Sequence, residues 1–302
     1  MYRNFFVLSL FFIHLSVNVQ AQHTANVSVT SGKNVAPKTY TKAITVSKNI
    51  TKVKDSFYFA PLQVWHKIYL YLPNGYTPTK RYPVLYMHDG QNLFDNATSY
   101  SGEWEVDEYM DKTNTQCIVV GITNAGSGRM QQYNPYPWGK ELNTYGDAAK
   151  SMTATIPYGK EYAAFLVTTI KPYIDANYST KRSRANTYLA GSSMGGLISY
   201  YTALKYPNVF SKVGIFSPSF WINMDAIKQQ LSYTKKGSKM NYYFYAGSIE
   251  SKNLVAEVMD IYTLTKSKTK KANMQLHIKA QAQHNEASWS AEFPEFMKWI
   301  SK

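Results

Sequence analysis

Apolar residues along this chain follow two alternating patterns. Short apolar, β-prone runs predict strands at residues 64–72, 82–87, 117–122, 187–190, 213–216, 242–246 and 275–279. Longer stretches with apolar residues at helical spacing predict helices at 158–176, 197–205, 254–265 and 293–300. Because the two kinds of element alternate, we expect an α/β fold with a mainly parallel central sheet and helices on both faces. Ligands in such folds bind at the carboxyl ends of the strands.

The N terminus has a different pattern. Arg3 precedes an apolar run at residues 5–15, and Val19-Gln20-Ala21 fits a small-residue cleavage site. The run is shorter than the about 20 residues that a membrane span needs. We therefore predict a signal peptide at residues 1–21, cleavage near Ala21, and an exported protein, periplasmic or secreted, with no transmembrane span in the mature chain. Residues 22–55 are rich in Thr, Ser, Asn and Lys and predict a polar extension or tether before a domain at 56–302.

The amino-acid composition excludes some classes of protein. A chain of 302 residues that is 44% hydrophobic supports a large core and is not disordered throughout. The net charge of +14 favours anionic surfaces or substrates. No nucleic-acid-binding motif accompanies that charge, so no nucleic-acid partner is expected. The single cysteine, Cys117, lies in an apolar strand, which predicts a buried thiol and excludes an intrachain disulfide. We expect neither a metal nor an organic cofactor, and the oligomeric state is not predicted.

Residues 191–196 (Gly-Ser-Ser-Met-Gly-Gly) lie between a predicted strand and a predicted helix. This context is typical of a nucleophile elbow, G-x-S-x-G. The glycines allow the sharp turn that holds one serine in a strained conformation above the sheet. We predict that Ser193 is the nucleophile and that Ser192 is its spacer.

A serine nucleophile needs a base within hydrogen-bond reach and an acid that orients the base, in the chain order Ser, acid, His. His284 lies in a polar loop after the last predicted strand, whereas His277 lies inside that strand, so we predict His284 as the base. Glu250 follows the sixth predicted strand and is the predicted acid. The alternatives for the acid are Asp225, Glu257, Asp260 and Glu286.

The tetrahedral intermediate of acyl transfer also needs an oxyanion hole. The backbone N–H of Met194 supplies one predicted donor, because it follows the nucleophile. The N–H of Gln91, in the loop after the second predicted strand, supplies the other. We interpret His88 and Asp89, in the same loop, as residues that hold it. A long aromatic loop at residues 126–155 predicts a wall or lid over the site.

Residues 85–95, 191–196, 216–221 and 284–289 together resemble the putative-esterase family of α/β-hydrolases, which includes enterochelin, feruloyl and acetylxylan esterases, S-formylglutathione hydrolase and mycolyltransferases. The resemblance extends from about residue 57 to residue 302. It implies the same triad of Ser193, Glu250 and His284, although many members carry Asp as the acid and some work as a Ser–His dyad. Related sequences carry Arg-x-x-Glu-Tyr where this chain has Gln132 between Arg129 and Tyr133.

These residues predict an exported serine esterase that acts through an acyl-enzyme on acylated or feruloylated glycans or siderophore-type esters. An acyltransferase would use the same acyl-enzyme with a hydroxyl acceptor, and a catalytically silent binding module would keep only the fold. The predicted substrate contacts are Arg129, Tyr133, Trp138, Phe220 and Trp221.

Overall fold

A computed structural model describes residues 42–139, 155–233, 240–269 and 273–302. Its strands are β1 (Ile50–Lys52), β2 (Phe57–Phe59), β3 (Val64–His66), β4 (Ile68–Tyr71), β5 (Val84–His88), β6 (Ile118–Ile122), β7 (Thr187–Ser192), β8 (Lys212–Phe216), β9 (Asn241–Gly247) and β10 (Met274–Lys279). Eight of them form one sheet in the order β1-β4-β6-β5-β7-β8-β9-β10, and β2 pairs with β3 in a separate hairpin. In this order every pairing from β6 to β10 is parallel, and the β1–β4 and β4–β6 pairings are antiparallel. The predicted α/β fold with a mainly parallel sheet is confirmed.

Helices cover both faces of the sheet. They are α1 (Val106–Thr113), α2 (Arg129–Tyr133), α3 (Gly159–Phe165), α4 (Lys171–Asn177), α5 (Met194–Lys205), α6 (Met224–Tyr233), α7 (Leu254–Lys268) and α8 (Glu286–Ile300). A π-helical segment, Leu166–Ile170, joins α3 to α4. Because successive strand side chains point to opposite faces, Val84 and Tyr86 of β5 join the core beneath α2–α7, whereas Leu85 and Met87 join the core beneath α1 and α8.

The register of the sheet brings the carboxyl ends of four strands to one edge. Ser192 of β7 lies opposite Phe216 of β8, and Phe216 lies opposite Tyr245 of β9. Gly247 of β9 lies opposite Lys279 of β10. The loops that leave these strands carry Ser193, Ser217, Glu250 and His284, so their side chains meet at this edge.

Three of the differences between the predicted and observed elements bear on the fold. Residues 42–52 are not a tether: β1 pairs with β4, and the Ser47 amide donates a 2.7 Å hydrogen bond to the Asp107 carboxylate. The predicted strand 64–72 is two strands, interrupted at Lys67, whose amide donates to the Thr123 hydroxyl at 2.9 Å and whose carbonyl accepts from the Thr123 amide at 3.1 Å. Helix α8 begins at Glu286 rather than at residue 293, since the side chain of Asn285 caps it by accepting from the amide of Ser288.

Three predictions fall wholly or partly outside the described ranges. They are the signal peptide at residues 1–21, the part of the polar extension at residues 22–41 and the part of the predicted lid at residues 140–154. Within the described ranges, no helix has the length and apolar character that crossing a membrane requires.

Candidate active site at the carboxyl edge of the sheet

Ser193 occupies a strained turn between β7 and α5. Its backbone has φ +58° and ψ −122°, a conformation that costs a residue with a side chain on the order of 1–3 kcal/mol. The Ser193 amide donates to the carbonyl of Phe216 at 2.9 Å, which fixes the turn against the end of β8. A Cβ on Gly191 would lie 2.6 Å from the carbonyl oxygen of Gly195, and a Cβ on Gly196 would lie 2.9 Å from that of Phe216. The elbow therefore requires glycine at both positions.

His284 and Glu250 are in direct contact. The distance from His284 Nδ1 to Glu250 Oε2 is 2.7 Å, and the side chains are 16% and 1% exposed. Because a carboxylate can only accept, Nδ1 carries the proton in this contact, and Nε2 is left as the atom that can take a proton from a serine. The other carboxylate oxygen, Oε1, accepts from Ser217 Oγ at 2.6 Å and from the Gly247 amide at 2.5 Å. The buried carboxylate is thus fully hydrogen-bonded and fixed in orientation.

The two predicted oxyanion-hole segments are adjacent. Met194 is the first residue of α5, so its amide lies in the turn whose N–H groups have no acceptor within the helix. Gln91 is the middle residue of a 3-10 turn, Gly90–Asn92, directly after β5. A Cβ on Gly195 would lie 3.3 Å from Asp89 Oδ2, so the elbow and the turn are packed together.

Asp89 and His88 hold that turn, as predicted. The Asp89 carboxylate accepts from Arg129 Nε at 2.7 Å, from Arg129 Nη2 at 2.8 Å and from Asn124 Nδ2 at 2.7 Å. Burial alone would raise the pKa of Asp89, but Arg129 and these donors hold that pKa below its usual value. His88 Nδ1 lies 2.9 Å from the hydroxyl of Tyr162, and burial lowers the pKa of His88 to about 4. The imidazole of His88 is therefore neutral near pH 7 and serves packing rather than acid–base chemistry.

Of the five predicted substrate contacts, two are wrong. Tyr133 and Phe220 are fully buried, because the Tyr133 hydroxyl accepts from the Asp89 amide and Phe220 packs edge-on against Tyr200. The Arg129 guanidinium pairs with Asp89 and lies over the Tyr133 ring, so Arg129 supports the turn at residues 90–92.

Trp138 and Trp221 are half-buried and keep part of their rings accessible. The indole N–H of Trp138 donates to the carbonyl of Thr155 at 2.7 Å, which fixes the orientation of that ring. These two residues remain candidates for contact with substrate.

The second histidine and two of the alternative acids have other partners. His277 Nδ1 contacts Glu292 at 2.8 Å, and Asp260 pairs with Lys228 at 3.0 Å. Glu286 is buried and accepts from Asn92 Nδ2 at 3.1 Å; burial raises the pKa of Glu286. Asp225 is exposed in the first turn of α6.

Sequence reasoning gave no role to three side chains at this site. Ser219 Oγ lies 3.2 Å from Ser193 Oγ, Ser217 contacts Glu250, and Trp289 Nε1 donates to Ser217 Oγ at 2.9 Å. Their positions in the sequence could have indicated a role for the two serines, because Ser217 and Ser219 follow a strand that ends at the same edge of the sheet as the Ser193 elbow. Among the described residues, no group of three or more His, Cys, Asp or Glu side chains is arranged to hold a metal ion.

A parallel sheet with a strained serine elbow and a His–Glu pair at its carboxyl edge defines the α/β-hydrolase class. A family model described as "Putative esterase" matches residues 62–300, and the chain belongs to this family. This membership supports a carboxylic ester hydrolase.

Sequence relatives and a solved structure agree with that class. The uncharacterized protein YbbA of Bacillus subtilis is 25% identical over 240 residues, covering 76% of this chain and 90% of YbbA. The ferri-bacillibactin esterase BesA of the same organism is 24% identical over 199 residues, covering 61% of this chain and 66% of BesA. The fold is similar to that of a ferulic acid esterase from Anaeromyces mucronatus, solved in complex with ferulic acid. The TM-score is 0.57 at 22% identity, over 87% of this chain and 95% of that one.

Proposed function

We propose that this protein is an exported serine carboxylic-ester hydrolase that works through Ser193, His284 and Glu250. The observation that carries the proposal is the 2.7 Å contact between His284 Nδ1 and Glu250 Oε2 at the sheet edge that also holds the strained Ser193 elbow. A strained serine elbow and an oriented imidazole at the same edge of a sheet are the groups that nucleophilic acyl transfer requires.

In the first half-reaction, Ser193 Oγ bonds to the ester carbonyl carbon while His284 Nε2 takes the hydroxyl proton. The carbonyl electron pair moves onto oxygen, and the amides of Met194 and Gln91 stabilise the resulting oxyanion. Collapse of this intermediate breaks the bond to the alcohol, which leaves with the proton from His284. Glu250 holds the imidazole in the required tautomer and stabilises its protonated form.

In the second half-reaction, water attacks the acyl-enzyme and loses a proton to His284. The intermediate then collapses, releases the carboxylic acid and returns the proton to Ser193. Each oxyanion donor contributes about 10²–10³-fold to the rate in enzymes of this kind. The proposal thus assigns a residue of this chain to each role that ester hydrolysis needs.

For the substrate, we propose acylated or feruloylated glycans or siderophore-type esters. Support comes from the relatives, one named for ferri-bacillibactin and one solved with ferulic acid. The partly accessible rings of Trp138 and Trp221 offer surfaces on which a phenolic or sugar ring can stack. The net charge of +14 favours anionic members of these classes.

The test is hydrolysis by the mature protein of p-nitrophenyl acetate, a feruloylated arabinoside and a catechol-bearing trilactone. We expect Ser193→Ala to lose about 10³-fold or more of kcat/KM on every substrate that the wild type cleaves. Ser192→Ala, the neighbouring serine, is the control and retains hydrolysis. Equal rates for the wild type and Ser193→Ala would refute the proposal. Including a sugar acceptor and analysing the products separates hydrolysis from acyl transfer.

Export is tested separately. After expression with the full N terminus, the mass of the protein in the periplasm or medium is expected to match a chain that begins at Gln22. A chain that keeps residues 1–21 would contradict the export part of the proposal without affecting the catalytic part.

A further inference from the structure

A turn after β8, Ser217-Pro218-Ser219, is hydrogen-bonded to both ends of the proposed triad. Ser217 is fully buried and has φ +43°, a left-handed conformation that is uncommon for a serine. Its amide donates to the carbonyl of Tyr245 at 2.8 Å, so the turn is fixed to the end of β9. A buried, strained serine held in this way points to a role that its hydroxyl performs.

The hydroxyl of Ser217 lies between Trp289 and Glu250. Trp289 Nε1 donates to Ser217 Oγ at 2.9 Å, and Ser217 Oγ donates to Glu250 Oε1 at 2.6 Å. The directions are fixed, since an indole can only donate and a serine hydroxyl has one proton. Trp289 is 4% exposed, and its ring lies edge-on to His284 with centroids 5.1 Å apart. Trp289 therefore contacts His284 directly and is connected to Glu250 through the Ser217 hydroxyl.

Ser219, two residues later in the same turn, contacts the nucleophile instead. Its amide donates to the carbonyl of Ser193 at 3.1 Å, and the two hydroxyl oxygens are 3.2 Å apart. The two serines thus differ in the triad residue that each one touches.

We propose that Ser217 is a positioning residue for the catalytic acid, and that Trp289 orients it. Glu250 has three rotatable side-chain bonds, so the hydrogen bonds at Oε1 restrict the rotation that would turn Oε2 away from His284. Ser217 and the Gly247 amide hold Oε1, so removing the Ser217 hydroxyl leaves one donor in place of two. A hydrogen bond to a charged group of this kind corresponds to about 10- to 100-fold in a rate that depends on it. This inference rests on the proposed function, because it assigns Ser217 to the same site.

The experiment is a double-mutant cycle on hydrolysis of p-nitrophenyl acetate, with variants Ser217→Ala, Glu250→Ala and both together. We expect Ser217→Ala to lower kcat by about 10- to 100-fold with little change in KM. In the Glu250→Ala background the same substitution is expected to have no further effect, because its role passes through the carboxylate. Where residual hydrolysis is too slow to follow, the rate of Ser193 labelling by a fluorophosphonate gives the same cycle.

Ser219→Ala is the matched control, since it removes an equal hydroxyl from the same turn. Its effect is expected to persist in the Glu250→Ala background, because Ser219 contacts Ser193. If thermal unfolding shows that Ser217→Ala does not fold properly, Trp289→Phe tests the same inference. It removes the donor to Ser217 and also shortens the ring that lies edge-on to His284, so kcat is expected to fall in both backgrounds and to fall further while Glu250 is present.

Three results would overturn the inference: wild-type kcat in Ser217→Ala, an equal loss in both backgrounds, or wild-type activity in Glu250→Ala. None of these affects the role of Ser193 in the proposed function. That role fails only if Ser193→Ala keeps its activity, so the two failures are distinguishable.

Discussion

Replacing Arg129 by methionine tests whether this residue supports the Gly90–Asn92 turn or contacts the substrate. Asp89 is 6% exposed, and its carboxylate accepts two hydrogen bonds from the Arg129 guanidinium. Removing one partner of a buried pair costs about 3–5 kcal/mol, because it leaves an uncompensated buried charge. The Arg129 side chain is 26% exposed, so solvent reduces this cost, and we expect Arg129→Met to lose about 2–4 kcal/mol.

For a domain of this size, a loss of about 2–4 kcal/mol corresponds to a fall in Tm of about 4–8 °C. Adding Asp89→Asn removes the unpaired charge and is expected to restore part of the loss. The control is Lys228→Met, which breaks an exposed pair with Asp260 and is expected to cost less than about 1 kcal/mol.

The assay combines urea unfolding with steady-state kinetics for each variant. We expect Arg129→Met to lower kcat more than it raises KM, because the turn that carries the Gln91 amide loses its support. Wild-type stability together with a raised KM would refute this reasoning. It would return Arg129 to the role of a substrate contact.

Three further predictions concern titration and packing. The pKa of His88 is about 4 in the fold and 6.5 when unfolded, so the unfolded chain takes up the proton first, and the free energy of unfolding falls by at most about 3 kcal/mol from pH 6.5 to 4. His88→Gln should remove this pH dependence in urea unfolding, and an unchanged dependence would contradict the prediction. Burial raises the pKa of Asp107 to about 8, so the folded protein keeps a proton that the unfolded chain releases, and the free energy of unfolding falls as the pH rises from about 4 to 8. Asp107→Asn should therefore raise the Tm more at pH 8 than at pH 5, and an equal gain at both pH values would contradict the prediction. Gly196→Ala should lower both Tm and kcat, because its Cβ would lie 2.9 Å from the carbonyl oxygen of Phe216. A variant with wild-type Tm and kcat would show that the elbow accommodates a Cβ at this position.

The sequence was most informative where function follows from position next to a strand. Ser193, Glu250 and His284 each follow a parallel strand, and parallel strands deliver their carboxyl ends to one edge. The contact between Glu250 and His284 was predictable for that reason, although the residues are 34 positions apart.

Burial and pairing inside loops were not predictable in the same way. An aromatic residue in a polar loop has the same sequence pattern whether its ring faces the core or the solvent, which is why Tyr133 and Phe220 were placed in contact with substrate. Arg129 and Asp89 are 40 positions apart, and only the folded chain shows that they pair. The short strand β1 contains Thr51 and Lys52, both exposed at the sheet edge, so its polar composition gave no strand signal.

Labelling of the mature protein with a fluorophosphonate, followed by mass spectrometry of its peptides, tests the nucleophile most directly. If Ser193 is the nucleophile, the protein should become phosphonylated at Ser193 alone, and Ser193→Ala should take up no label. Label at Ser192, Ser219 or elsewhere, or no label on an ester-hydrolysing wild type, would contradict Ser193 as the nucleophile.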